Sequence, residues 1–291
     1  MKKKSQKKSV ELGRGDQKCL GKTINLSGSL WKIFDISLFS RDVNQVLNIL
    51  ESRLDLGIKR YWVATVNPEF VMEAKKDRDF RHILKNTSLN VMDGIGLVWA
   101  RELEKRIKKR RSLGVRLAMA SKIGVEILQG KHRDQVASGA DLMLNLGEMV
   151  MKKKLKIFFL GGFDNRAERT ANFFRKKFFL NKKQIDWCEG KPKVGNDEVI
   201  NKINRFKPDV LLVAYGMKKQ EFWINNNLKQ LEVGIVMGIG RAFDYYSGEL
   251  KRAPEFFRKI GLEWLYSLIK EPKRIKRQVV LPKFIWQILR K

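Results

Sequence analysis

Asp93 is the side chain in this sequence best placed to do chemistry. It stands in Asp93-Gly94-Ile95-Gly96, directly after the apolar run Leu89 to Met92. A carboxylate that ends a strand just before a helix can take a proton from a hydroxyl, provided partial burial raises its pKa. On residue types alone, an Asp-Gly turn without a chemical role is the plainer alternative. Thr65 and Asn67 end a second β-rich run, Tyr61 to Val66, in Thr65-Val66-Asn67-Pro68-Glu69. If the two runs are neighbouring strands, all three polar side chains border one crevice, because ligands of open α/β sheets bind outside the carboxyl ends of the strands.

Three further stretches carry weaker signals. Gly161 and Gly162 follow a strand over Lys156 to Leu160 and open a helix, a turn that can present backbone N–H groups to a phosphate. The same glycines also serve such turns for purely geometric reasons. Gly238-Ile239-Gly240-Arg241-Ala242-Phe243 begins like a dinucleotide fingerprint but has Phe where a small residue is needed, which argues against NAD. Asp77-Arg78-Asp79 has the spacing of a metal–nucleotide motif, yet it lies among Lys75, Lys76 and Arg81 and reads as an ion-paired surface helix. His82 and His132 are far apart, as are Cys19 and Cys188, so no metal site or disulfide framework is expected.

The elements that must position these residues alternate in type. Trp31 to Ile36, Tyr61 to Val66, Leu89 to Met92, Lys156 to Leu160, Ile185 to Cys188, Asp209 to Tyr215 and Val233 to Ile239 read as strands, with helical patterns between them. One helix after Pro68 turns Phe70, Val71, Ala74, Phe80, Ile83 and Leu84 inward. Such alternation predicts an α/β fold, a Rossmann-like and mostly parallel sheet with helices on both faces. Residues 1–25 read as a basic flexible tail, 26–247 as the α/β domain with a basic insertion at about 105–135, and 248–291 as a C-terminal basic amphipathic helical appendage.

Charge constrains the partners. The chain has 61 Lys and Arg against 31 Asp and Glu, a formal charge of +30, which calls for an anionic substrate, membrane surface or nucleic acid. No aromatic-interleaved RNA motif or helix-turn-helix pattern supports nucleic acid. Residues 101–133 carry eleven Lys and Arg against three acids, and 250–291 carry twelve against three. The first reads as a solvated face or an anion-binding arm. The second, with Trp264, Phe284 and Trp286 on its apolar side, reads equally as a segment lying in a membrane interface or as a docked helical pair with its charges in water. No run approaches the roughly 18 apolar residues of a membrane span, and the basic N-terminus lacks the apolar core of a signal peptide. Sparse cysteine use suits a reducing compartment.

Taken in order, these pieces resemble the WecG/TagA/CpsF glycosyltransferases, glycosyltransferase family 26. The resemblance runs from residue 30 to 278 through the motifs at Thr65, Asp93, Gly139-Ala140-Asp141-Leu142, Phe159-Leu160-Gly161-Gly162 and Lys207-Pro208-Asp209. It continues through Gly216-Met217-Lys218-Lys219-Gln220-Glu221, Gly238 to Asp244, Lys251-Arg252-Ala253-Pro254 and Gly261-Leu262-Glu263-Trp264-Leu265-Tyr266. It implies inverting transfer of an N-acetylmannosamine-type sugar from a UDP-sugar to N-acetylglucosamine on a polyprenyl diphosphate, without a cofactor or metal. Asp93 would then be the general base. Thr65, Asn67, Gly161, Gly162, Gln220, Asp244 and Arg252 would contact substrate. Arg274 and Arg277 would stabilise the diphosphate, with Arg133 substituting for an arginine that the family places where Gln135 stands. The implied location is cytoplasmic, peripheral at the inner face of the cell membrane, with homo-oligomers left open. Ser267, Gly190-Lys191-Pro192 and a longer stretch between Asp93 and Gly139 also depart from the family pattern. These departures support an alternative, a homologue that binds nucleotide sugar without transferring it.

Overall fold

In the computed structural model, residues 29–107, 112–192 and 197–291 are described. The expected tail, Cys19, Lys108 to Arg111 and the Arg274 side chain lie outside the described residues. The first half of the chain runs β1 (Leu30–Ile33), β2 (Ile36–Phe39), α1 (Val43–Asp55), β3 (Tyr61–Val66), α2 (Pro68–Lys76), α3 (Arg78–Lys85), β4 (Leu89–Met92), α4 (Ile95–Arg106), α5 (Leu113–Leu128) and α6 (Gly139–Lys153). It continues with β5 (Ile157–Gly161), α7 (Arg166–Lys177), β6 (Ile185–Cys188), α8 (Asp197–Phe206), β7 (Val210–Ala214), α9 (Lys219–Asn227), β8 (Ile235–Gly238) and α10 (Ala242–Tyr246). Four helices close it: α11 (Glu255–Lys259), α12 (Glu263–Lys270), α13 (Ile275–Gln278) and α14 (Val280–Arg290).

The strands form one sheet in the order β1-β2-β4-β3-β8-β7-β5-β6, parallel except for β1 against β2. The central strands β4, β3, β8, β7 and β5 are buried on both faces because helices cover both, as parallel sheets require, whereas β1, β2 and β6 toward the sheet's edges are partly exposed. Tyr61 and Val63 of β3 pack with α1, α6, α7 and α10 on one side, and Trp62, Ala64 and Val66 face the other helices. The fold is therefore the mostly parallel α/β sheet that the sequence pattern predicts.

Two local details differ from the sequence expectation. Trp31 to Ile36 is not one strand: Phe34 and Asp35 take positive φ (43° and 67°) and turn the chain into a β1–β2 hairpin. Paired positive φ is what a two-residue hairpin turn needs, and alternation alone does not reveal where a ribbon reverses. The helix after Pro68 also breaks. Asp77 leaves the helical region and its carboxylate accepts from the Asp79 and Phe80 N–H groups, starting α3. Its other oxygen pairs with Lys218 Nζ at 2.8 Å. The Asp77–Asp79 pair is thus a helix cap and ion pair, as the ion-paired reading anticipates.

Helix α6 approaches α7 closely enough that glycine is required at 147. A Cβ there would stand 2.3 Å from Phe178 Cε2 and 2.7 Å from Phe174 Cε1, rings that also pack against each other in a tilted arrangement, centroids 5.3 Å apart. Gly147→Ala is expected to cost about 1–3 kcal/mol by overpacking, after the better helix propensity of Ala returns part of the strain. Urea unfolding measures it, and an unchanged midpoint would show that the two helices have room to separate.

Candidate active site

Register makes Thr65 and Asp93 neighbours. β3 and β4 pair in parallel with Thr65 opposite Val91, and the Asp93 N–H donates to the Val66 carbonyl at 2.7 Å. β8 lies on the other side of β3, and there the Thr65 hydroxyl donates to the Gly238 carbonyl at 3.0 Å. The chain beyond β4 then returns to this edge: the Ala137 N–H donates to the Met92 carbonyl at 3.0 Å. This brings the first turn of α6 over the strand ends, so close that a Cβ on Gly139 would lie 3.3 Å from the Thr65 methyl.

Asp93 sits beneath that turn with one solvent-facing edge. Its pKa is pushed up to about 7, first by desolvation and then by the negative charges of Glu263 and Asp141. A hydrogen bond from the Gly139 N–H and the charge of Arg252 pull the other way without cancelling the rise. A carboxylate poised near neutrality is matched to general-base work, since the ideal catalytic pKa lies near the working pH.

Arg252 organises the surrounding acids. Its Nη1 and Nη2 grip the two Asp141 oxygens at 2.6 and 2.8 Å, and its Nε reaches Glu263 Oε1 at 3.2 Å. Burial opposes its charge, but the Asp141 hydrogen bonds and the two carboxylates outweigh it and hold its pKa above the ordinary value. Arg133, in the short turn before α6, is bare by comparison: its Nε and Nη2 are buried without a hydrogen-bond partner. Burial lowers its pKa against the pull of Glu263 and Asp141. It lines a cleft of about 540 Å³ together with Leu128, Gln129, Gly130, Lys259 and Ile260.

The remaining candidates fall into separate groups. Asn67 caps α2 by accepting from the Phe70 N–H at 3.1 Å. Gln220 is buried, its Oε1 accepting from the Gly240 N–H at 3.0 Å and its Nε2 donating to Glu221 at 2.7 Å. Its amide therefore holds the β8 turn in shape. Desolvation raises the pKa of buried Glu221 to about 7, against the Gln220 and Lys218 hydrogen bonds. Gly161 and Gly162 both have positive φ at the end of β5, and a Cβ on Gly161 would strike the Tyr215 ring at 2.8 Å. Close by, Arg166 Nη1 holds Asp244 at 2.6 Å. Arg277 crosses from the C-terminal helices to Glu69 in the first turn of α2, 2.9 Å away. The buried Gln135 amide links Arg101 (2.7 Å) to Glu102 (3.1 Å).

Residue-type reasoning alone passes over Glu263, Asp141 as a partner of Arg252, and Arg166. A signal existed for Glu263. Residues 250–291 hold only three acids, and each is paired: Glu255 with Lys259, Glu263 with Arg252 and Glu271 with Arg241. Rare acids in a basic segment mark where that segment is tied down.

The family described as "Glycosyl transferase WecG/TagA/CpsF family" matches residues 31–122 and 113–291, two segments that overlap over 113–122 in α5. Among its relatives, an N-acetylglucosaminyldiphosphoundecaprenol N-acetyl-beta-D-mannosaminyltransferase of Bacillus spizizenii is 30% identical over 232 residues, 80% of each chain. Proteins of the same name from Bacillus subtilis strain 168 and Staphylococcus aureus strain MW2 are 29% and 27% identical. They cover 78% and 84% of this chain, and 78% and 86% of their own length. With both halves of the chain matched and the strand-end motifs gathered at one sheet edge, this protein belongs to the WecG/TagA/CpsF family and is a glycosyltransferase.

Proposed function

We propose that this enzyme transfers N-acetylmannosamine from a UDP-sugar to N-acetylglucosamine carried on a polyprenyl diphosphate, in the synthesis of teichoic acid or another cell-surface polysaccharide. The observation that carries the reading is Asp93, a strand-end carboxylate that accepts from the Gly139 N–H under the first turn of α6, beside Arg252, and is brought near neutrality by burial. Asp93 takes the proton of the acceptor hydroxyl as that oxygen attacks the anomeric carbon. The bond from that carbon to the UDP diphosphate breaks on the opposite side, and the configuration inverts. No protein nucleophile is needed. The leaving diphosphate gains one negative charge on top of the two it already carries, which cationic side chains can offset, and this reading assigns that task to Arg133, Arg274 and Arg277 rather than to a metal. Thr65, Asn67, Gly161, Gly162, Gln220 and Asp244 belong to the walls that receive or shape the UDP-sugar, and Arg252 keeps Asp141 and Glu263 in place around the base. A lipid-borne acceptor puts the enzyme at the cytoplasmic face of the cell membrane.

The test is incubation of the purified chain with a short-prenyl diphosphate N-acetylglucosamine and a panel of UDP-sugars. The expected product is a lipid disaccharide formed with UDP-N-acetylmannosamine and not with UDP-N-acetylglucosamine. Binding of UDP-sugars with no product from any donor would favour the non-transferring alternative instead.

A further inference from the structure

We infer that the outward face of α5 is a bilayer-contacting surface, which lays the protein on anionic lipid and opens the Arg133 cleft toward it. The helix packs inward through Ala120, Ile123 and Ile127. A surface helix should then be polar on its other side. This one is not: Leu113, Val115, Leu117, Val125 and Leu128 are each 45–53% exposed, interspersed with Gly114, Ala118, Ser121 and Lys122. Its only acid, Glu126, is turned away and held by Arg106 at 2.6 Å and His132 at 2.9 Å. Arg116 donates to the Ile288 carbonyl, and Lys122 and Lys131 remain exposed at the flank and end of the helix. Apolar outer residues bordered by cations, with no free carboxylate, are complementary to an anionic interface rather than to water or an acidic peptide.

The neighbours continue the same surface. α14 packs on α5 and buries Phe284, Ile288 and Leu289, yet it leaves Ile285 and Trp286 about 43% exposed, with Arg290 stacked 4.1 Å from the Trp286 ring. At its other end α5 terminates in Leu128, which lines the cleft with Arg133, Lys259 and Ile260. A helix of sixteen residues is about 24 Å long, too short for a hydrocarbon core of about 30 Å. Among the described residues no helix is long and apolar enough to cross a membrane. α5 therefore lies in the interface. The entry of a membrane-borne diphosphate beside Leu128 and Ile260 rests on the acceptor proposed above, whereas the lipid contact itself does not.

The experiment uses the full-length chain and vesicles of phosphatidylcholine and phosphatidylglycerol without acceptor. L117Q/V125Q, which alters only outward side chains, is expected to lower vesicle partitioning at least about tenfold, the effect of removing two interfacial apolar side chains. Unchanged partitioning overturns the inference. So does an oligomer that the double variant dissociates without any change in vesicle binding, because the face would then join two copies of this chain. A reporter independent of the variant's folding is Ala118→Cys in a chain whose native cysteines are replaced, labelled with a polarity-sensitive dye. Its emission should shift to the blue on vesicles and be quenched by brominated lipid, and a label that stays in water overturns the assignment. Failure of sugar transfer with retained vesicle contact would count against the proposed reaction alone.

Discussion

Asp93→Asn is expected to lower the transfer rate by about 10²- to 10⁴-fold, the usual worth of the general base proposed here, while UDP-sugar binding persists. Asn keeps an oxygen for the Gly139 N–H but cannot take the proton. In the wild type, the rate at low substrate is expected to rise as pH passes through about 7 and then level off, because in the proposed mechanism only the carboxylate form of Asp93 accepts the proton. Stability moves in the opposite sense. The Asp93 pKa is raised on folding, so between about pH 4 and 7 the native state holds a proton that the unfolded chain has lost. Stability therefore falls through that window, and the cost is complete above it. Three pKa units correspond to about 4 kcal/mol, and the open edge of Asp93 reduces this to about 2–3 kcal/mol. Asp93→Asn should thus be more stable than wild type at pH 8 and equal to it near pH 4, as urea unfolding at the two pH values would reveal. Buried Glu221 adds a slope of the same sign, but it is common to both proteins and cancels in the difference. A variant that keeps normal turnover would remove Asp93 from the base role. A variant no more stable at pH 8 would show that Asp93 is solvated.

Arg252→Gln is expected to damage both stability and the pH profile. Gln cannot bridge Asp141 and Glu263, so two carboxylates lose the cation that holds them at 2.6–3.2 Å. Removing one partner from a largely buried ion network costs about 2–4 kcal/mol, because the remaining charges stay desolvated. The same loss removes a cation that lowers the Asp93 pKa and leaves the two anions that raise it. The rising limb of the rate profile should move to higher pH, with activity at neutral pH recovered in part by alkaline buffer. Adding Asp141→Asn should restore much of the stability, since the stranded charge is gone. A merely structural arginine would lower stability and leave the profile in place, and that result would separate Arg252 from the tuning of the base.

Local patterning was enough for much of this architecture. Buried β-rich runs such as Tyr61 to Val66 and apolar positions at helical spacing depend on neighbours a few residues away, so strands, helices and their alternation were legible. The Phe34–Asp35 reversal and the Asp77 break were not, because each depends on one or two residues whose backbone leaves the regular region. Helix α5 was hidden by composition: the basic residues around it dominate 101–133, while its apolar outer face shows only when Ala120, Ile123 and Ile127 are seen to be the buried side.

The sequence by itself determined that Asp93 ends one strand and that Thr65 and Asn67 end another, and that cations follow far along the chain; that the two strands are neighbours came from their pairing. Tertiary structure alone decided what kind of acid Asp93 is. Its pKa depends on Gly139 overhead and on Asp141, Arg252 and Glu263, groups that meet only when α6 and the C-terminal helices close over the β3–β4 edge. Desolvation and Coulomb interactions act over ångströms in space, and no spacing along the chain encodes them.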